Sequence, residues 1–237
     1  MTRDEPPTLP SPRVRAEELE LISMVGHELR NPLTVIRGAA TLLLQARNQM
    51  PLERRQAMLR LIEQHSEAMT DLVEDLITAA HLEAGDTDLM IESVEVPKAI
   101  ERVVEWARRQ DSRAIVVLGS EPALKVRGDR ERIEQVLRAL VGNALRHAPT
   151  SDVEIFVEAR DGSVGIAVLD RGPGVPKNQR EHVFERFVRV SELSSASGAG
   201  LGLYVARGLA RLMAGDVTLE PRPEGGSAFW FTLGRSA

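Results

Sequence analysis

The sequence predicts an α+β protein, with a long antiparallel helical hairpin followed by an α/β sandwich. Apolar residues repeat in heptads through roughly the first third of the 237 residues. Beyond Gly85 the texture changes to short alternating runs interleaved with amphipathic helices. Glycine-rich turns are confined to this second part, where they adjoin a strand end and a helix start.

The first residues, "MTRDEPPTLPSPRVR", are rich in proline and polar groups and are read as a flexible lead-in over 1–15, with no apolar stretch of the secretory kind. A helix is expected from about Ala16, where Glu17, Glu18 and Glu20 suit a helix N-terminus. Its seam is Ile22, Gly26, Leu29, Leu33, Ile36, Ala40 and Leu43, at alternating steps of four and three. "NQMPLE" interrupts the pattern, and Pro51 suits the first turn of a second helix. That helix has its own seam in Ile62, His65, Met69, Leu72, Leu76 and Ala79, and it should stop near Gly85. One hairpin buries too little by itself, so a second copy completing a four-helix bundle is expected, making a homodimer through residues 16–85.

Residues 86–237 form the second domain in this reading. "LMIESVEVP" and "RAIVVLG" read as strands around the helix "KAIERVVEWARR". "DRERIEQVLRALVGNALRHA" is an amphipathic helix with Asp129 as N-cap. "DVEIFVEAR" and "SVGIAVLDRG" are strands joined by a turn at Asp161-Gly162. "VFERFVR" has the pattern of a short amphipathic helix with Phe184 and Phe187 inward. A last helix over about 202–213 precedes the strands "DVTLEP" and "SAFWFTLG". Strands and helices mixed this way predict a sheet covered on one face by helices.

Composition narrows the function. A net charge of -5 argues against nucleic acid as the main partner, while a local basic pocket for a nucleotide remains permitted. The absence of cysteine excludes disulfides and thiolate chemistry and fits a reducing cytosol. No apolar run approaches the roughly 18 residues of a membrane span. A cytoplasmic chain is expected, compatible with a membrane-bound parent protein.

Two glycine-rich stretches carry the first chemical signal. In "DRGPGVP", Asp170 ends a strand and Gly172 and Gly174 lie in the turn. In "SGAGLGL", Gly198, Gly200, Leu201 and Gly202 lead into the last helix. Glycines allow close backbone approach to a ligand, and amides at a helix start favour anionic phosphate. The layout is neither Rossmann nor P-loop, because no GK[ST] follows and the first stretch opens no helix. "LVGNALRHA" places Asn143 in mid-helix, where its propensity is modest.

Taken in order, these segments resemble the transmitter core of sensor histidine kinases, the ATP-dependent kinases of two-component signalling. "VGHELRNPL" is similar to that family's H-box and "LVGNALRHA" to its N-box. "DRGPGVP" and "SGAGLGLYVA" are similar to its two glycine boxes, and "VFERFVR" to its F-box.

The resemblance implies a phosphoacceptor hairpin and a GHKL-type α/β sandwich that binds ATP and Mg²⁺. It makes His27 the phosphoacceptor through a neutral Nε2, with Glu28 as the base that orients the ring or accepts its proton. Asn31, one turn on, is implicated in positioning water for dephosphorylation of the partner regulator. Pro32 should kink the helix just beyond. Asp170 would accept from the adenine amino group, Gly172 and Gly174 would shape the adenine pocket, and His147 stands where a nucleotide contact is common. Asn143 would ligate Mg²⁺. Arg146 and Arg189 would face phosphate, and Gly198, Gly200, Leu201 and Gly202 would flank the triphosphate under a lid over about 176–199.

The implied function is a histidine autokinase that passes its phosphoryl group from His27 to an aspartate in the receiver domain of a response regulator, with regulator phosphatase as a second activity. One departure stands out. The family commonly has a second N-box asparagine where this chain has Ala139, which bears on metal handling and predicts weakened rather than abolished activity. Ala139 also supports one rival, a catalytically weak scaffold that binds nucleotide or regulator. A second rival is a mismatch-repair or chaperone-like ATPase of the same fold. It lacks support because Ala139 occupies the position where a glutamate base would be sought, and Glu134 lies more than one turn away.

Overall fold

The computed structural model describes residues 12–46, 50–111, 115–119, 124–148, 150–188 and 199–236, with side chains described from Ser23 onward. The chain divides into two compact units, Met1–Met69 and Thr70–Ala237.

The first unit contains α1 (Pro12–Ala46) and the first half of α2 (Leu52–Ala84). Helix α1 begins four residues before the expected Ala16, at Pro12. Proline is suited to a first helical position because its missing N–H would have no intrahelical partner there. The helix continues through Pro32, which cannot donate to the carbonyl four residues back. Nearby, the Thr34 hydroxyl donates to the Arg30 carbonyl at 2.7 Å. Among the described side chains of α1, Pro32 and Ala39 are buried, while Leu33 of the predicted seam stays 53% exposed. Thus the stripe buried within one chain is centred one residue earlier than the heptad seam. Pro51 immediately precedes α2, and its carbonyl accepts from the Arg55 amide at 3.0 Å.

The second unit starts inside α2. Leu72, Leu76 and the buried Ala79 pack into its apolar core. The helix ends as expected at Gly85, whose φ of +66° suits a glycine, and the Asp86 amide closes back onto the His81 carbonyl at 3.1 Å. Strand β1 (Glu92–Glu95) is shorter than predicted, because Val96 and Pro97 already begin α3 (Val96–Gln110). It pairs antiparallel with β3 (Lys125–Gly128), a strand absent from the sequence reading.

The main sheet has the order β2-β4-β5-β7-β6, with β2 (Ile115–Leu118) parallel to β4 (Val153–Arg160). Strands β5 (Ser163–Leu169), β7 (Ser227–Gly234) and β6 (Asp216–Pro221) continue it antiparallel. Helices α4 (Arg130–His147) and α5 (Gly202–Leu212) pack on each other and on this sheet. Between them and the strands lie Ile133, Leu137, Leu140, Ile155, Ile166, Leu209, Phe229 and Phe231, all fully buried. Each such side chain contributes about 1.5–3 kcal/mol relative to exposure. Asp129 caps α4 as predicted, accepting from the Arg132 amide at 3.2 Å.

The segment "VFERFVR" is not the expected helix. Only one 3-10 turn forms, at His182–Phe184, after which Glu185 is extended and Phe187 has φ +63°. Its side chains and amides are engaged over long range instead. Phe184 meets Phe229 edge-on at 6.4 Å beneath the Arg207 guanidinium, and the Phe187 amide donates to Gly200 at 2.9 Å.

Candidate functional site

In the second unit, α4 forms the floor between the two glycine turns. At one end, Asp170 follows β5 and is only 2% exposed. Its Oδ1 accepts from the Gly172 amide at 2.8 Å and the Ser227 amide at 3.3 Å. Burial raises its pKa, opposed by those two amides and by the positive charge of His147 and Arg222. With Oδ1 committed, Oδ2 is the oxygen left to receive a ligand donor.

The surrounding backbone is tight. A Cβ at Gly172 would stand 2.7 Å from the His147 carbonyl oxygen, and one at Gly226 would stand 2.1 Å from that of Asp170. Gly174 has φ +72°. Only glycine allows the loop from β6 to β7 and the turn after β5 to approach Asp170 this closely. Arg222 adds a brace, donating to the Asp170 carbonyl and to Glu154, both at 3.3 Å.

At the other end, Gly200 has φ +67°, and a Cβ there would meet the Phe187 carbonyl carbon at 2.8 Å. Leu201 is 1% exposed, and no side chain caps the first turn of α5. The first amides of α5, from Gly202, thus have no side-chain cap and could receive an anion. Ala139 borders this turn, its Cβ 3.8 Å from the point a Gly202 Cβ would occupy. Along α4, Asn143 is half-buried, and Arg146 and His147 are exposed at the helix end. The predicted Arg189 and Gly198, and most of the lid tip, lie outside the described residues.

These surroundings fit an adenine nucleotide. A buried carboxylate has one oxygen to spare, two turns are closed to any Cβ, and an uncapped helix start can receive phosphate. No group of three or more His, Cys, Asp or Glu side chains among the described residues could hold a metal. A cation here would rest on Asn143, phosphate oxygens and water, as hard divalent ions allow.

In the first unit, His27 is exposed on α1, Glu28 is half-buried beside it, and Asn31 is exposed one turn on. Arg30 Nη1 lies 3.3 Å from His27 Nδ1. Sequence reasoning did not single out Arg30, Arg222, Gly226 or Asp75. Asp75 carried a legible signal, being a carboxylate three residues after Leu72 and four before Ala79 on the α2 seam. For the others the partner is distant in sequence or the contact depends on side-chain conformation.

Fold and site together define a two-module protein, a histidine-bearing helical hairpin joined to a GHKL-type α/β domain. The "His Kinase A (phospho-acceptor) domain" family matches residues 17–85, and the "Histidine kinase-, DNA gyrase B-, and HSP90-like ATPase" family matches residues 128–237. The signal transduction histidine-protein kinase AfsQ2 of Streptomyces coelicolor is 32% identical over 90% of this chain, which spans 41% of that protein. The adaptive-response sensory kinase SasA of Thermosynechococcus vestitus is 31% identical over 92% of this chain and 61% of its own length. Among solved structures, the Acinetobacter baumannii histidine kinase AdeS matches with a TM-score of 0.61 and 26% identity, over 89% of this chain and 98% of that one. Full-length ShkA in complex with AMPPNP matches with a TM-score of 0.63 and 28% identity, over 92% of this chain and 46% of that one. The chain belongs to the sensor histidine kinase family, whose transmitter core it comprises. It spans less than two thirds of the length of these two curated relatives. Among the described residues, no helix is long and apolar enough to cross a membrane.

Proposed function

We propose that the chain is an ATP- and Mg²⁺-dependent protein-histidine kinase that phosphorylates its own His27. The observation that carries this reading is the buried Asp170, held by the Gly172 and Ser227 amides so that one oxygen is left for an adenine amino group. Bound Mg-ATP supplies the phosphoryl group. Asp170 selects the base, Gly172 and Gly174 let the backbone close on it, and His147 lies beside it. Asn143 offers an amide oxygen to the cation. Gly200, Leu201 and Gly202 present the α5 amides to phosphate, joined by Arg146 and, from the sequence pattern, Arg189 and Gly198. His27 attacks the γ-phosphorus through a bare Nε2, the bond to the bridging oxygen breaks so that ADP leaves, and Glu28 takes or holds the Nδ1 proton.

The phosphoryl group then passes to an aspartate of a response-regulator receiver domain docked on the hairpin, and Asn31 positions water for hydrolysis of that aspartyl phosphate in the second, phosphatase activity. The hairpin, taken as residues 16–85, pairs with a second copy, and residues 86–237 form the catalytic domain. Dimerisation is supported by the heptad seam and by the exposure of Leu33, Leu42, Leu44, Leu52 and Leu59. A cytoplasmic location fits the composition. A scaffold without autokinase activity has only Ala139 in its favour. A hydrolytic ATPase is disfavoured because Glu134 is engaged by Arg102 at 2.6 Å.

Incubation with γ-labelled ATP and Mg²⁺, alongside His27→Gln, tests the proposal. Label that is acid-labile, alkali-stable and absent from the variant is expected. A nucleotide-binding dimer that takes up no label would overturn the autokinase reading in favour of the scaffold.

A further inference from the structure

Asp75 has no role in the chemistry above, yet its carboxylate stands among the groups assigned to phosphate. Oδ2 lies 3.6 Å from the point a Gly202 Cβ would occupy, and Ala139 Cβ lies 3.8 Å from the same point. Gly202 is the first residue of the uncapped α5, so the carboxylate lies beside the turn assigned to phosphate. The charge of Arg146, the other candidate phosphate partner, also acts on Asp75. Both groups would serve a phosphate oxygen in the same way.

The carboxylate is held in place from behind. Gln135 of α4 hydrogen-bonds Asp75. Gln135 itself is oriented by donating to Thr78 Oγ1 at 3.2 Å and accepting from Arg132 at 2.9 Å. Further along α2, Leu82 packs where a Cβ on Gly208 of α5 would stand, at 2.6 Å from that point. Ala139 leaves room beside Asp75, whereas an amide side chain at that position would reach toward the same volume.

We propose that Asp75 is an internal anion occupying the triphosphate end of the nucleotide site, which the distal phosphates must displace to bind. The site is thereby held shut by the chain's own α2 until a triphosphate outcompetes one carboxylate. This inference rests on the nucleotide-site reading above.

Calorimetric titration of the full chain, Asp75→Asn and Asp75→Ala with AMPPNP, ADP and adenosine tests it, each in Mg²⁺ and in EDTA. Asp75→Asn keeps the shape and removes the charge, and melting temperatures report that both variants are folded. Removing one charge a few ångströms from phosphate should tighten AMPPNP binding about fivefold, allowing for solvent screening. The gain should be smaller for ADP, absent for adenosine, and present in EDTA as well as Mg²⁺. Equal AMPPNP affinity in wild type and variants would overturn the inference alone. So would weakened binding in Mg²⁺ only, which would make Asp75 a metal-facing ligand. A wild-type chain that binds none of the three would overturn the nucleotide-site reading and this inference with it.

Discussion

Arg30 Nη1 lies 3.3 Å from Nδ1 of His27, one turn back on α1. A guanidinium only donates, so in this contact Nδ1 is the acceptor and a neutral ring carries its proton on Nε2. That is the opposite of the tautomer that the proposed attack through Nε2 requires. In that proposal Arg30 opposes the reactive form of His27, and Glu28 competes with it for Nδ1.

Arg30→Ala should then raise the single-turnover labelling rate of His27. An exposed contact of this kind is worth about 0.2–1 kcal/mol, which converts to at most about fivefold. Nitrogen chemical shifts of the His27 ring should move toward the Nδ1–H tautomer in the same variant. A slower rate with no tautomer change would assign Arg30 to phosphate rather than to the ring. Glu28→Gln should slow labelling about a hundredfold or more, the usual scale for a positioned base.

Asp170→Asn should uncouple the adenine end. The substitution replaces an acceptor-only carboxylate with an amide that can place a donor against the Gly172 or Ser227 N–H or against the adenine amino group. One mismatched buried hydrogen bond costs about 1–3 kcal/mol, so AMPPNP affinity should fall roughly tenfold to a hundredfold. Calorimetry checks this, and circular dichroism should show the fold unchanged.

Much of this arrangement is legible in the chain, for local reasons. The α2 stop at Gly85, the Asp129 cap and the Asp161-Gly162 turn are each set by residues within a few positions of one another. The glycine turns around Gly172 and Gly200 announce themselves by composition. What the sequence hides depends on distant partners. Strand β3 has four residues, too few to display a period, and it is defined by pairing with β1 across α3. The F-box segment has a helical pattern, but the Phe187–Gly200 hydrogen bond and the Phe184–Phe229 contact leave it only one turn. Arg222 beneath Asp170 lies 52 positions away in sequence.

Gly200→Ala tests the link between that segment and α5. The added methyl would meet the Phe187 carbonyl carbon at 2.8 Å, at a φ of +67° that alanine disfavours. Strain of this kind costs about 1–3 kcal/mol. A fall of several degrees in melting temperature is expected, together with weaker AMPPNP binding, because the turn that presents the α5 amides is displaced. An unchanged melting temperature would mean that the turn relaxes freely.

Asp75 gives the last prediction, a pH dependence of stability. Burial is the main cause that lifts its pKa from 3.8 to about 6. Repulsion from Asp71 and Glu74 adds to the rise, while the Gln135 hydrogen bond and the Arg146 charge oppose it. Between those two pH values the folded protein keeps a proton that the unfolded chain has released. The contribution of Asp75 to stability is therefore greatest below about pH 4, falls as pH rises toward 6, and is level above it. At about 1.4 kcal/mol per unit, the loss from this group approaches about 3 kcal/mol at pH 7. Asp75→Asn should remove that slope, leaving the variant more stable than wild type at pH 7 and nearly equal to it at pH 4. Urea unfolding of both proteins across pH 4 to 8 measures the difference directly. Parallel curves would mean that Asp75 stays ionised at low cost, screened by solvent or by Arg146.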